Sequence, residues 1–333
     1  MTHSRRVFLS TVTRMLGGGA CALLLPERLI GARRNEGTYL ERTVFAMGTT
    51  VSIGAFGESR DHILHATSRA FSDLTRLERL FSVFIPSSDI SRINRRGARD
   101  PVMVDPLTAD LLRVAKTYHR RTDGAFDVTV ERMMQWWGFR EEAPEVERQE
   151  VDLPPVGLVG DEHLHVTEDN TVWLGKSGVG VDTGGIGVGY AVDRMAAILG
   201  QEGINSAFIN HSGDVYGVGH PEDSGGWETV IPHPEEHGGE LRSITIRDEA
   251  LSTSTNSAQR RRRENKTVGH ILDPRTGKNP ERVVSITVVA PTSLMADALS
   301  TAAFVRGVER WDEPGCGFFA VLPDGEQREQ FRR

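Results

Sequence analysis

The chain has 333 residues, 38% of them hydrophobic and 26% charged, which are ordinary proportions for a globular protein and leave room for one large domain or two smaller ones. A formal net charge of −7 argues against nonspecific binding along a nucleic-acid backbone, which needs clustered Lys and Arg, and no nucleic-acid module is visible. The two cysteines, Cys21 and Cys316, provide neither a zinc pattern nor a disulfide pair in the mature chain if the first is in a leader.

Such a leader is what the N-terminus suggests. Ser4-Arg5-Arg6-Val7-Phe8-Leu9 is a twin-arginine pattern, followed by a weakly apolar stretch that Arg14 and Gly17–Gly19 make a poor membrane span. Residues 1–32 are therefore expected to direct export of the folded protein to the periplasm, with cleavage after Ala32 or, as in a lipoprotein, just before Cys21. Cys21 follows Gly18-Gly19-Ala20, a loose lipoprotein pattern, so a lipid anchor on the cell membrane stays open.

Beyond the leader, Val44–Ala55 is β-branched and interrupted by Gly48, as in a strand or hairpin arm. Residues 61–81 carry Ile63, Ala66, Ala70, Phe71, Leu74, Leu77 and Phe81 at helical spacing. Asp105 then caps a second helix, with Pro106 at its first position. Residues 141–155 read as a surface loop, and two short strands around 164–174 turn at Asp169-Asn170. A helix is expected over Gly189–Leu199, and strands over Ala207–Asn210, Ser243–Arg247, Val283–Ala290 and Phe318–Leu322. Ser293–Val305 is the last helix, and Arg260–Arg263 looks like a solvated loop. The irregular mixture favours an α+β class, with residues 40–330 as one catalytic unit.

Three segments carry chemistry. Asp182-Thr183-Gly184-Gly185-Ile186-Gly187-Val188-Gly189 runs directly into a helix, where glycines admit a close ligand and the helix N-terminus favours phosphate; a structural turn is the plain alternative. His270 precedes the turn Asp273-Pro274-Arg275-Thr276-Gly277 and can move a proton or bond a phosphate, or be an ordinary strand histidine. Asp297 and Thr301 lie four apart on one helix face, a pair of oxygen donors suited to Mg²⁺ and equally a common polar face. Trp136-Trp137 reads as core rather than as a stacking box.

In this order, with Met47-Gly48-Thr49, Ser82-Val83-Phe84, Ser88–Asn94, Gly124–Val130, Trp137-Gly138-Phe139, Asn210–Asp214 and Thr253-Ser254, the segments resemble the ApbE family of FAD:protein FMN transferases. The resemblance implies a single T-fold-related domain of mixed strands and helices, with the flavin site in a cleft between lobes. It implies Mg²⁺ held by the side chains of Asp297 and Thr301 and the carbonyl of Gly185. Met47, Phe84, Ala125, Phe126, Asp127, Asp182, Val188, His270 and Ile271 would line the FAD, and His270 and Asp182 would be catalytic. The implied reaction moves FMN from FAD to a Ser or Thr hydroxyl of an exported acceptor protein, releasing AMP. A Mg²⁺-dependent FAD pyrophosphatase and a periplasmic FAD-binding protein without transfer activity are the alternatives.

Five positions depart from the family pattern: Phe84 for Tyr, Gly187 for a common Ala, Val188 for a frequent Lys, Ser212 for Gly and Thr255 for Gly. Val188 removes a positive charge from a pyrophosphate site, and Thr255 reshapes a loop near the acceptor.

Overall fold

The computed structural model describes residues 37–140, 154–236, 238–257, 260–263 and 266–331. The expected leader, Cys21 and nearly all of the expected 141–155 loop lie outside them. Among the described residues no helix is long and apolar enough to cross a membrane.

The chain opens with a hairpin of β1 (Thr38–Ala46) and β2 (Thr49–Gly57), joined by Met47 at φ 52° and Gly48 at φ 80°. Two successive positive φ values match the right-handed twist of the flanking strands, so the strands pair in register from Ala46↔Thr49 outward. Helix α1 (Arg60–Phe81) is capped by the Ser59 side chain and buries Ile63, Ala66, Ala70, Leu74, Leu77 and Phe81. Helix α2 (Asp89–Arg96), capped by Ser88, is followed by β3 (Val102–Met103) and by α3 (Pro106–Arg121), capped by Asp105. Then come α4 (Glu131–Trp136), β4 (Leu164–Val166), β5 (Thr171–Leu174) and α5 (Gly187–Gln201). The β4–β5 turn has Asn170 at φ 63°, as its sequence suggested.

The remaining strands are β6 (Ser206–His211), β7 (Asp214–Val218), β8 (Trp227–Pro232), β9 (Glu240–Ile246) and β10 (Glu249–Thr255). They are followed by β11 (Arg260–Arg263), β12 (Lys266–Gly269) and β13 (Ser285–Ala290). Helix α6 (Ser293–Arg306), β14 (Gly317–Val321) and β15 (Gln327–Gln330) close the chain.

An eight-stranded antiparallel sheet, in the order β1-β2-β6-β7-β10-β13-β14-β15, organises the α+β fold. Its faces are read off by alternation. Ile53, Ile209, Ala250, Ile286, Val288 and Phe318 share a core with α1, α5 and α6. Their neighbours Phe208, Leu251, Val289 and Phe319 pack with Trp227 and Ile246 of the β8–β9 hairpin. Burying one such Ile or Phe contributes about 1.5–3 kcal/mol. A smaller lobe gathers Met133, Met134, Trp137 and Phe139 around Val268 and Leu272.

Arg260–Arg263 corrects the loop expected there: it pairs with Lys266–Gly269 as a β-hairpin. Arg261 donates to the Gly138 carbonyl and lies over the Phe139 ring, so the hairpin is secured on the small lobe rather than being solvated throughout.

Candidate active site

Helices α5 and α6 touch at their first turns. A Cβ on Gly189 would lie 2.5 Å from the Ser293 carbonyl oxygen, so only glycine permits this approach. Each helix holds the other's N-terminus. The Gly189 amide donates to Asp297 Oδ2 at 3.0 Å, while the Ser293 and Leu294 amides donate to the Asp193 carboxylate at 2.6 and 3.0 Å. One turn along α6, Thr301 Oγ1 would sit 3.3 Å from a Cβ on Gly185. The expected oxygen donors Gly185, Asp297 and Thr301 thus come together where α5 begins.

Two further carboxylates share this place: Asp214, the last residue of the Asn210–Asp214 motif, and Asp193, for which the sequence suggested no role. Asp297 is 6% exposed, and burial first, then the Asp214 carboxylate, hold its pKa well above the ordinary range. Burial raises Asp214 to about 7, opposed by a hydrogen bond from Ser252 and helped by Asp193. Asp193 is raised to about 6 by burial, against the two amides it accepts. Like-charged carboxylates crowded away from water call for a cation. Among the described residues no three His, Cys, Asp or Glu side chains form a metal cluster. The donor set here is instead a carboxylate, a hydroxyl and a carbonyl. These hard oxygens suit Mg²⁺, which keeps positions for phosphate oxygens.

Asp182 stands at the other side of the glycine segment, 7% exposed. Its position is fixed through the backbone. The Asn94 side chain exchanges two hydrogen bonds with Val181, at 2.8 and 2.6 Å, and the Asp182 amide donates to the Val128 carbonyl at 2.7 Å. One carboxylate oxygen accepts the Gly184 amide at 2.8 Å and the other pairs with Arg140. Arg140 also lies 3.4 Å from Glu131 and 5.1 Å from the centre of the Phe84 ring. Burial, then Asp182, raises Glu131 to about 7, with Arg140 opposing. Phe84 itself is 68% exposed, an aromatic face open to solvent.

The other expected lining residues differ in access. Met47 is half-buried at the first hairpin turn, its amide bonded to Glu78, and Val188 is half-buried in the first turn of α5. Ala125, Phe126 and Ile271 have their side chains in the core. A Cβ on Gly185 would meet the Phe126 ring at 3.4 Å. The Asp127 carboxylate accepts from the Thr129 amide and hydroxyl, both at 2.6 Å, and pairs with His119 at 2.7 Å. His270 is half-buried just past the end of β12. The turn after it is closed by the Gly277 amide on the Asp273 carbonyl, and Trp137 Nε1 donates to the Gly277 carbonyl at 2.9 Å. A surface cavity lined by Gly37, Phe56, Gly57 and His220 opens at the opposite ends of β2 and β6, away from all these residues.

Residues 47–313 match the ApbE family. The chain belongs to it. Among curated relatives, FAD:protein FMN transferase of Salmonella typhimurium is 28% identical over 296 residues, covering 84% of this chain and 83% of its own. That of Vibrio cholerae is 31% identical over 233 residues, covering 69% and 70%. The crystal structure of the ApbE protein of Thermotoga maritima superposes with a TM-score of 0.78 at 30% identity, covering 87% of this chain and 96% of that one. The flavin transferase ApbE of Vibrio cholerae gives 0.75 at 26% identity, covering 88% and 97%.

Two departures of this ApbE chain from the family pattern have local explanations. Thr255 adopts no positive φ, and its hydroxyl bonds the Val284 carbonyl at 3.1 Å, so a side chain is accommodated. Ser212 does adopt φ 56°, and its hydroxyl bonds Thr49 Oγ1 at 2.5 Å.

Proposed function

We propose that this ApbE protein is a Mg²⁺-dependent FAD:protein FMN transferase acting on an exported acceptor. Flavin transfer is the activity its curated relatives carry by name, and the chain is an enzyme of that class. The finer reading rests above all on one observation: Gly185, Asp297 and Thr301 meet at the N-terminus of α5, beside carboxylates raised by burial. These three residues would hold the cation. Bound there, Mg²⁺ supplies neutralisation of the pyrophosphate and of the charge that develops as it is cleaved.

The chain's own residues do the rest. The N-terminal end of α5 directs its dipole at phosphate, its Gly187 and Gly189 amides being already bonded to Thr183 and Asp297, and Phe84 offers its open face to an aromatic ring, held from behind by Arg140. Arg140 brings a positive charge to the Asp182 end of the glycine segment, in a chain where Val188 stands in place of the frequent Lys. In the reaction, a Ser or Thr hydroxyl oxygen of the acceptor bonds to the FMN-side phosphorus. The bond from that phosphorus to the bridging oxygen breaks, and AMP leaves with the oxygen. His270 takes the hydroxyl proton, and Asp182 keeps the glycine segment in place.

Residues 1–32 fit this reading as a twin-arginine leader that would export the folded enzyme to the periplasm, either removed after Ala32 or cut before Cys21, which would then carry a lipid anchor. The test is intact-mass measurement of an acceptor domain carrying a Ser/Thr flavinylation motif, after incubation with the mature protein, FAD and Mg²⁺. The expected result is a gain of one FMN phosphoester that EDTA prevents. An unmodified acceptor with FMN appearing free in solution would replace transfer by hydrolysis.

A further inference from the structure

His270 sits where strand pairing stops. Gly269 is the last residue of β12 and faces Arg260 across the hairpin. Past this point two asparagine side chains take over the role of a neighbouring strand. Asn256 accepts from the Ile271 amide at 2.8 Å and donates to the Ile271 carbonyl at 3.0 Å. Asn279 accepts from the Gly269 amide at 2.9 Å and donates to the Gly269 and Ile271 carbonyls at 3.3 and 3.1 Å. A carboxamide carries the same donor and acceptor as a peptide group, so each side chain closes a peptide-like pair. The backbone is thus held on both sides of His270. The fit is close: a Cβ on Gly269 would fall 2.1 Å from Asn256 Cγ.

The clamp also joins the two halves of the site. Asn256 directly follows β10, whose Ser254 bonds Ser300 at 2.9 Å, and Ser300 is the neighbour of Thr301 on α6. A short path of hydrogen-bonded and covalently adjacent groups therefore runs from the oxygen-donor helix to the histidine segment.

We infer that Asn256 and Asn279 are positioning residues that set His270 in register with the reacting phosphate. The inference rests on the reading above, in which His270 takes the acceptor's proton. Each asparagine acts through His270 and touches no substrate. Misplacing a proton acceptor by about 1 Å lowers a rate on the order of 100-fold. Such a loss falls more heavily on kcat than on FAD binding, because of the expected FAD lining the clamp holds only His270 and Ile271, and it touches neither the glycine segment nor Phe84.

A double-mutant cycle tests this, with single-turnover FMN transfer to an acceptor domain as the rate and flavin fluorescence as the binding signal. N256A and N279A should each slow transfer by about 10- to 100-fold while leaving FAD affinity within about threefold. In the H270A background the same substitutions should slow it no further, since a group acting only through His270 has nothing left to position. N256D and N279D keep the volume and the acceptor oxygen. They serve if the alanine variants fold poorly, and should slow transfer at least as much, since each sets a carboxylate oxygen against a carbonyl that the amide nitrogen now bonds. If N256A and N279A slow the H270A enzyme by the same factor as the wild type, the asparagines act independently and the inference is overturned. If H270A is slow but both asparagine variants match wild type, the inference alone fails. If H270A itself transfers at the wild-type rate, the role given to His270 fails and takes the inference with it.

Discussion

The Asp297 carboxylate on α6 accepts a hydrogen bond from the Gly189 amide of α5 at 3.0 Å, which ties α6 to the glycine segment. The same carboxylate, crowded by Asp214 and Asp193, is unfavourable to ionise without a cation. D297N removes the charge and keeps the shape. Without metal, its melting temperature should equal or exceed that of wild type, whereas added Mg²⁺ should raise only the wild-type value. Transfer should fall at least about 100-fold, a few kcal/mol of lost transition-state stabilisation. A variant that melts as before and still gains stability from Mg²⁺ would move the cation elsewhere.

Arg140 is the counter-charge for two carboxylates with little exposure, Asp182 and Glu131. Removing one partner from a buried ion pair strands the other, at a cost of about 3–5 kcal/mol. R140A is therefore expected to lower stability by an amount near that range and to weaken FAD binding. R140K keeps the charge without the planar fork and should recover only part of both. Thermal melts and fluorescence titration with FAD measure the two effects, and an R140A protein unchanged in both would remove Arg140 from the site.

Ser212 occupies left-handed backbone at φ 56° in the β6–β7 turn, where the family pattern has glycine. That conformation costs an L-residue about 1 kcal/mol, partly offset here by the exposed hydrogen bond to Thr49. S212G should stabilise the fold by a few tenths to about 1 kcal/mol. The companion change G213A, at φ 100°, should destabilise it. Denaturant midpoints compare the two, and a destabilised S212G would show that the Thr49 contact outweighs the backbone strain.

His211 is fully buried at the end of β6, and burial lowers its pKa to about 4 from 6.5. Its folded pKa lies below the unfolded one, so between these values the unfolded chain binds a proton that the fold does not. Above pH 6.5 the group leaves stability unaffected; as pH falls from 6.5 towards 4 it removes stability, by roughly 3 kcal/mol in full. Buried carboxylates such as Glu131 act in the opposite sense, so the readout is the difference between wild type and H211Q. That difference should change across pH 6.5 to 4 and be flat above. A difference flat throughout would mean that His211 titrates normally in the fold.

Much of this architecture was legible in the chain because its signals are local. Asp105-Pro106 announced α3 and the apolar spacing of residues 61–81 announced α1, whereas Val44–Ala55, read as one strand or hairpin arm interrupted by Gly48, is two strands that turn at Met47-Gly48. The three oxygen donors were readable only through the order of motifs, since Asp297 and Thr301 alone make an ordinary polar helix face. Helix α2 was missed although Ser88 caps it, because only Ile90 and Ile93 interrupt its polar sequence. Four successive arginines gave no strand pattern; pairing with Lys266–Gly269 and the contact of Arg261 with Phe139 made them one. Asp214 was legible only as the end of the Asn210–Asp214 motif, and Arg140, Asp193, Asn256 and Asn279 were invisible for a different reason. Arg140 and Asp193 take their meaning from partners far along the sequence, and the two asparagines from the backbone on either side of His270.

The central claim is that the FMN-side phosphorus of FAD passes to a protein hydroxyl. The most direct measurement is the stoichiometry of one reaction mixture with enzyme, FAD, Mg²⁺ and acceptor domain: AMP released, FMN esterified to the acceptor and FMN free in solution. The account predicts one acceptor-bound FMN for each AMP and no free FMN. AMP matched by free FMN, with the acceptor unmodified, would contradict it.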